Sequence, residues 1–424
     1  MKNRFLFAIG IIASLVIIIC AILSFRVTPT EATSNQYNDL KMFSQVLAIV
    51  QSQYVDKVSP SELIVNATKG MVNSLDPHSA FMTPQEYKDL QVSTTGEFGG
   101  IGTSITLKDG LITVVTPIEG TPAYKAGIKA GDIILQINDK STLGMSLNEA
   151  VKLLRGKVGT EVRLVIGRKN EKKPLILNIK REIIHIKSVD YKDLDGIGYI
   201  RIIQFQEGTA KAVSNAFTSL NKKGIKGLVI DLRDNSGGLL TEAIGVSDLF
   251  VNKGVIVSVK GRNKSEDQVF YAKDGKVPNM PIAVLINSGT ASAAEIVAGC
   301  LKDHKTAVIV GTRSFGKGSV QSIIPLKDGY ALRLTTARYY TPDGHSIQAV
   351  GVVPNVEVKP AKVESEDFGY ALREENLINH LASNETVQAK PQEVIKEPQQ
   401  TTQDFQLLTA INIVKAQIAE WPKK

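Results

Sequence analysis

The sequence predicts an α+β protein of several parts: an α/β core, a smaller mostly-β unit ahead of it, and a helical N-terminal region. Three features of the chain carry that expectation. From Gly196 onward, short apolar runs ending at Leu232, Ile286 and Val310 alternate with stretches of helical periodicity, as in a sheet covered by helices. Between Glu97 and Ile183, the trios Val162, Leu164, Ile166 and Leu175, Leu177, Ile179 alternate with other residues at the period of half-buried strands. From Tyr37 to Leu90 the apolar residues recur at helical spacing instead. A chain of 424 residues, 43% hydrophobic and 22% charged, is long enough for more than one globular domain and too apolar for disorder throughout.

Met1-Lys-Asn-Arg4 precedes an uncharged run from Phe5 to Phe25, long enough to span a bilayer, and Arg26 closes it. Residues 1–26 are therefore expected to form a membrane anchor or signal segment. No A-x-A site follows at a suitable distance, and Ile19 stands where lipid attachment at Cys20 needs a small residue, so the uncleaved anchor is favoured over a signal peptide. The positive end stays in the cytoplasm, which makes the remainder extracytoplasmic. The net charge of +8 arises from basic residues interleaved with 42 acids rather than gathered in blocks, so no nucleic-acid partner is expected. Cys20 and Cys300 are too differently placed to pair, and the five histidines lack metal-ligand spacing, so neither a disulfide framework nor a metal site is predicted.

In the helical region, residues 36–92, Phe43, Val46, Leu47, Val50 and Tyr54 share one face, and Ser59-Pro-Ser-Glu62 opens a second helix with a capping box and proline at its first position. Its expected role is packing and dimerisation. The β unit, residues 97–183, contains Phe98-Gly-Gly-Ile-Gly102 leading into a strand, Gly131-Asp-Ile-Ile-Leu-Gln-Ile137, and a capped helix from Ser146 to Leu154.

The densest chemistry lies between Leu285 and Gln321. A buried strand, Ile282 to Ile286, runs into the small-residue loop Asn287-Ser-Gly-Thr-Ala-Ser-Ala293, then a helix from about Ser292 to His304, a strand from Ala307 to Gly311 and a glycine-rich loop bearing Lys317. A serine at a strand-to-helix junction has free backbone N–H groups beside it, and a lysine on a later loop can act as its base. Ser292-Ala-Ala-Glu295 is equally a capping box. Upstream, the apolar strand Gly227 to Leu232 ends in Arg233-Asp-Asn-Ser-Gly-Gly238, where glycines let a backbone approach a substrate closely.

The set Leu232-Arg-Asp-Asn-Ser-Gly-Gly238, Gly289-Thr-Ala-Ser-Ala-Ala-Glu295, Gly316-Lys-Gly-Ser-Val-Gln321 and Tyr340-Thr-Pro-Asp-Gly344 resembles the carboxyl-terminal processing, or tail-specific, serine proteases over roughly residues 36 to 360. The resemblance implies a crotonase-like core over residues 184–360. It implies that Ser292 is the nucleophile, Lys317 the general base and Gln321 the residue that orients Lys317. The oxyanion hole would be the N–H of Ala293 with that of Gly237 or Gly238; Ser236 replaces the proline that many relatives carry, which leaves the choice of glycine open. The β unit resembles a PDZ domain, in which Phe98, Gly99, Gly100, Ile101 and Gly102 would form the loop that receives a peptide's C-terminal carboxylate.

The expected function is thus a serine endopeptidase with a Ser-Lys dyad and no cofactor, cleaving extracytoplasmic proteins near their C-termini. Its expected partners are substrates with free C-termini, selected by the PDZ unit, and a membrane through the N-terminal segment. An ordinary lysine, with a pKa of about 10.4, is protonated at neutral pH, so Lys317 needs burial beside neutral Gln321 rather than beside an acid. Two other readings compete. Gly311-x-x-x-x-Gly316-Lys317 nearly makes a phosphate loop, although Gly318 replaces the magnesium-binding Ser/Thr and Val320 to Pro325 reads as a strand. An inactive PDZ scaffold is the other, and no proposed catalytic residue type is missing to support it. In residues 361–424, Asn384 to Gln403 reads as a linker, and Phe405, Leu408, Ile411 and Ala416 suggest a last amphipathic helix docked on the body or on a second subunit of a homo-oligomer.

Overall fold

The computed structural model describes residues 31–169, 171, 173–273, 278–363 and 403–420. They divide into two compact units, Met1–Phe81 and Met82–Lys424. The Phe5 to Phe25 run and nearly all of the Asn384 to Gln403 linker lie outside the described residues. Among the described residues no helix is long and apolar enough to cross a membrane.

The first unit contains α1 (Glu31–Gln53) and α2 (Pro60–Asn73). Pro60 opens α2 as expected, but the capping box does not form: Ser59 has the extended N-cap backbone while its side chain makes no cap bond. The cost is small because water serves the open N–H groups of an exposed helix end. The predicted apolar face of α1 is not buried either, with Phe43 45% and Val46 55% exposed, and Tyr54 falls just beyond the helix. Two helices present too little partner surface to cover such a face.

The second unit starts with α3 (Pro84–Thr95), capped by a reciprocal Thr83–Glu86 box and ended by Gly96 in the left-handed conformation. Next come β1 (Glu97–Gly100) and a sheet of β2 (Thr103–Lys108), β3 (Leu111–Pro117), β4 (Ile133–Ile137), β5 (Glu161–Gly167) and β6 (Leu175–Lys180), joined in that order. Helix α4 (Leu147–Leu154) carries the predicted Ser146–Glu149 box. The alternation seen in the sequence becomes a core of Ile112, Val114, Ile134, Ile137, Val162, Leu164 and Ile166. Strand β7 (Glu182–His185) returns to pair antiparallel with β1, so the chain enters and leaves this sheet side by side.

The main sheet contains β8 (Val189–Leu194), β9 (Ile197–Ile202), β10 (Gly227–Asp231), β13 (Ile282–Ile286), β14 (Val308–Gly311) and β17 (Val356–Glu357), in that order. Only β8 runs antiparallel to its neighbour; the others are parallel. Successive residues of a strand point to opposite faces, and both faces are covered. Leu228, Ile230, Ile282, Val284 and Ile286 pack with α5 (Thr209–Asn221), α6 (Leu240–Asp248) and α7 (Ala293–Asp303). Val229, Ala283 and Leu285 pack on the other side against Ala410 and Val414 of α8 (Phe405–Glu420). The last helix docks on the body, one of the two roles expected for it.

A second sheet is formed by β11 (Val255–Gly261), β12 (Gln268–Tyr271), β15 (Ser319–Pro325) and the long β16 (Ala331–Tyr340). Strand β15 pairs with β16 from Ala331 to Arg338, and β11 pairs with it from Ala337 to Tyr340.

Helix α8 approaches β10 closely because residue 227 has no side chain: a Cβ on Gly227 would overlap Cγ1 of Val414. Gly227→Ala is therefore expected to cost about 1–3 kcal/mol of stability through overpacking. Denaturant melts of the two proteins check this, and an unchanged midpoint would show that the helix shifts freely.

Candidate functional site

The C-terminal ends of β10 and β13 lie side by side, and in open α/β sheets that edge is where ligands bind. The two loops that follow are laced together. Asn287 donates through Nδ2 to Asp234 Oδ1 and accepts from the Asp234 N–H, each at 2.9 Å. Thr290 Oγ1 donates to the Leu232 carbonyl at 2.8 Å, and the Ala291 N–H donates to the Asn235 carbonyl at 2.9 Å.

At the end of the β13 loop stands Ser292, with φ 55° and ψ −117°. A non-glycine residue with positive φ is strained by about 1–3 kcal/mol and persists only where its surroundings hold it. Glu295 supplies much of that hold. Its carboxylate is fully buried and accepts four hydrogen bonds: from the Ser292 N–H (2.8 Å) and Lys317 N–H (2.8 Å) on Oε2, and from the Ser314 hydroxyl (2.6 Å) and Gly316 N–H (2.7 Å) on Oε1. One oxygen thus binds the main chain of both Ser292 and Lys317. Of the capping box read in the sequence, the return bond from Glu295 is present, but the same carboxylate also organises the lysine loop.

The remaining predicted residues gather around this centre. Gly237 and Gly238 have φ of 101° and 139°, in the region that favours glycine. A Cβ on Gly237 would stand 2.8 Å from Ser292 Cβ and 2.9 Å from the Ala293 nitrogen, and one on Gly238 would overlap the Phe205 carbonyl. The Gly237 N–H is engaged with Asn235 Oδ1 at 2.9 Å. Those of Gly238 and Ala293 donate to no group among the described residues.

Gln321, expected to orient Lys317, donates through Nε2 to Ser319 Oγ (2.9 Å) and Thr335 Oγ1 (3.4 Å). Where the sequence suggested only neutral Gln321 near Lys317, the fold brings a buried carboxylate to its main chain. That carboxylate is shared among four donors, one of them the lysine's own N–H.

Tyr339 was not singled out in the sequence. It is 5% exposed on β16, its N–H donates to the Gly318 carbonyl at 2.7 Å, and its phenol lies beside the Ser292 side chain. Burial pushes the phenol up to about 12, which keeps it neutral beside the serine. For Glu295 only the bond to Ser292 has a local pattern, the capping box; its partners on the lysine loop, like those of Tyr339, come from elsewhere in the chain.

The phosphate-loop reading fails on this geometry. The residues after Lys317 form strand β15, so no helix N-terminus faces the loop, and the N–H groups of Gly316 and Lys317 already bind an anion, Glu295. Among the described residues no group of three or more His, Cys, Asp or Glu is disposed to hold a metal ion.

The five-residue peptide segment is divided. Phe98, Gly99 and Gly100 belong to β1 and pair with β7, while Ile101 and Gly102 turn away from it. The Ile101 carbonyl accepts from the Ala123 N–H at 2.7 Å, and the Gly102 carbonyl accepts from the Ile118 N–H and Thr121 hydroxyl, both at 2.9 Å. Their own N–H groups donate to nothing among the described residues. They lie immediately ahead of β2, the terminal strand of its sheet. Phe98 and Gly99 also line a cavity of about 920 Å³ with Val151 and Arg155, whose guanidinium lies 4.3 Å from the Phe98 ring centre.

Residues 196–358 match Peptidase family S41, residues 113–168 match the PDZ domain, and residues 24–86 match the Activating protease CtpB N-terminal domain. A carboxy-terminal-processing protease of Bartonella bacilliformis is 45% identical over 92% of this chain and 91% of its own length. A probable CtpA-like serine protease of Staphylococcus epidermidis is 37% identical over 78% of this chain and 67% of its own. Among solved structures, the photosystem II D1 C-terminal processing protease is 32% identical, covering 75% of this chain and 92% of that one with a TM-score of 0.44.

Replacing Glu295 by glutamine turns an amide N–H₂ toward backbone donors that need an acceptor. Glu295→Gln is expected to lose about 1–3 kcal/mol for each donor left unsatisfied. Thermal or denaturant unfolding measures it, and a variant as stable as the parent would show that the four bonds do not hold the loops.

Proposed function

This chain belongs to peptidase family S41 as a PDZ-bearing carboxy-terminal-processing serine protease, and on that premise we propose that Ser292 and Lys317 form its catalytic dyad. One observation carries the assignment: a single buried carboxylate oxygen accepts the N–H groups of both residues. In the proposed reaction Ser292 Oγ attacks the scissile carbonyl while its proton passes to a neutral Lys317 amine. The resulting oxyanion lies between the Gly238 and Ala293 N–H groups, and the engagement of the Gly237 N–H with Asn235 favours Gly238 over its neighbour. The ammonium of Lys317 then protonates the leaving amine, and water, deprotonated in turn by Lys317, hydrolyses the acyl-enzyme.

Substrate selection is proposed to occur at the N–H groups of Ile101 and Gly102, which would bind a free C-terminal carboxylate as the peptide extends the open edge of β2. Phe98, Gly99 and Gly100 would hold that turn against β7 instead of donating to the ligand. The uncharged run from Phe5 to Phe25 supports a membrane anchor with the protease outside the cytoplasm, acting on extracytoplasmic proteins. Exposed apolar residues on α1, among them Leu40 and Phe43, support a homo-oligomer.

Ser292→Ala, Lys317→Ala and Lys317→Arg should each lower cleavage of an unfolded reporter by about 10⁴-fold or more, with folding retained. The arginine variant keeps the charge but has no neutral base, so its wild-type activity would refute the dyad; cleavage should also persist in EDTA.

The second test uses the full-length Ser292→Ala protein with paired peptides. A free-acid C-terminus should bind at least about tenfold more tightly than its amide, the equivalent of one charge-assisted hydrogen bond. Equal affinities would remove the carboxylate role from Ile101 and Gly102.

A further inference from the structure

Asp231 ends β10 and is 1% exposed. Its carboxylate accepts the Tyr199 hydroxyl at 2.9 Å, the Arg233 N–H at 3.0 Å and the Arg233 guanidinium, with Nη2 at 2.6 Å. The guanidinium has further donors, and these do not point to solvent. Nη1 and Nη2 donate to the two oxygens of Asp404 at 2.9 and 2.7 Å, a bidentate pair, and Nη1 also donates to Gln406 Oε1 at 3.1 Å. Gln406 is itself 4% exposed and donates to the Val358 carbonyl at 2.7 Å, at the end of the S41 match. Burial opposes the charge of Asp404, yet the Arg233 hydrogen bonds hold its carboxyl below the usual range.

We propose that the C-terminal segment is a positioning element of the active site: Asp404 and Gln406 grip Arg233, and Arg233 sets the backbone that leads to the oxyanion donor Gly238. The inference rests on the dyad reading above. Arg233 is the first residue beyond Leu232 in the loop, followed by Asp234 in the left-handed region with φ 59°, Asn235 and the two glycines. The loop has no regular ladder of its own apart from the single bridge between Gly238 and Phe205. Besides its bonds to the β13 loop through Leu232, Asp234 and the Asn235 carbonyl, it is held at the middle by Asn235 Nδ2, which donates to the Ile202 carbonyl at 2.7 Å, and at the start by Arg233. A guanidinium tied to Asp231 alone could swing about that carboxylate. Tied to Asp404 and Gln406 as well, it is fixed between β10 and the start of α8. Both gripping residues lie outside the stretch matched as peptidase, so the oxyanion geometry depends on chain beyond the catalytic core.

The experiment compares full-length Asp404→Ala, Asp404→Glu, Val414→Ala and Ser292→Ala proteins by steady-state kinetics and melting temperature. Asp404→Ala should lower kcat by about 10- to 100-fold, the effect of a misplaced catalytic group, with KM changed by less than about twofold. Asp404→Glu, which keeps a bidentate carboxylate, should recover part of kcat. Val414→Ala removes packing between α8 and β10 without touching Arg233; it should lower the melting temperature yet leave kcat within about twofold at permissive temperature. Wild-type kcat in Asp404→Ala, beside an inactive Ser292→Ala, would overturn the positioning role alone. So would a kcat loss that follows melting temperature equally in Asp404→Ala and Val414→Ala. An active Ser292→Ala would overturn the dyad and this inference together.

Discussion

The buried carboxylate of Glu295 is the interaction on which the rest of the site depends. It sits on the first turn of α7, takes the main chain of Ser292 on the same oxygen as that of Lys317, and takes Ser314 and Gly316 on the other. A buried carboxylate without partners would be costly, and four donors offset that cost. The donors in turn have no freedom to leave, since each would then be the unsatisfied group. This mutual need explains how Ser292 keeps a positive φ and how a glycine-rich loop, flexible by composition, is held against a helix terminus.

Around that centre the parallel sheet supplies alignment. Strands β10 and β13 are neighbours and end at the same level, so their loops meet and exchange side-chain to backbone bonds through Asn287 and Thr290 and a backbone bond from Ala291 to Asn235. Both faces of these strands are buried, one under α5 to α7 and the other under α8. The last helix is therefore part of the hydrophobic core of the protease unit, and its first residues reach Arg233 at the same sheet edge that carries Ser292. Apolar packing places the helix, and the ion pair at its start adds direction to a contact that hydrophobic burial alone leaves non-directional.

Where local pattern and fold disagree, the cause is physical in each case. Ser59 has the sequence of a capping box but stands at an exposed helix end, where water competes with its hydroxyl. The apolar stripe of α1 has helical periodicity, which reports amphipathicity and says nothing about whether a partner surface is available. Phe98, Gly99 and Gly100 share glycine-rich composition with Ile101 and Gly102, yet β7 returns from far along the chain to pair with the first three only.

Local chemistry by itself determined the alternating strands of the PDZ unit, the buried runs of the core, the helix after Ser292, the strand after Lys317 and the identities of serine, lysine and paired glycines at loop positions. These are set by periodicity, turn chemistry and capping, all of which act over a few residues. The tertiary structure alone decided that Glu295 joins Ser292 to Lys317, that Tyr339 lies beside the serine, that Gly237 is engaged while the Gly238 N–H is left open, and that Arg233 is held by Asp404. The Asn235–Gly237 bond spans only two residues, though Asn235 is itself anchored to the Ile202 carbonyl; the other pairings join residues far apart in the chain. Hydrogen bonds and ion pairs of that kind leave no period in a sequence, because their partners are brought within reach only when the sheet and its covering helices have packed.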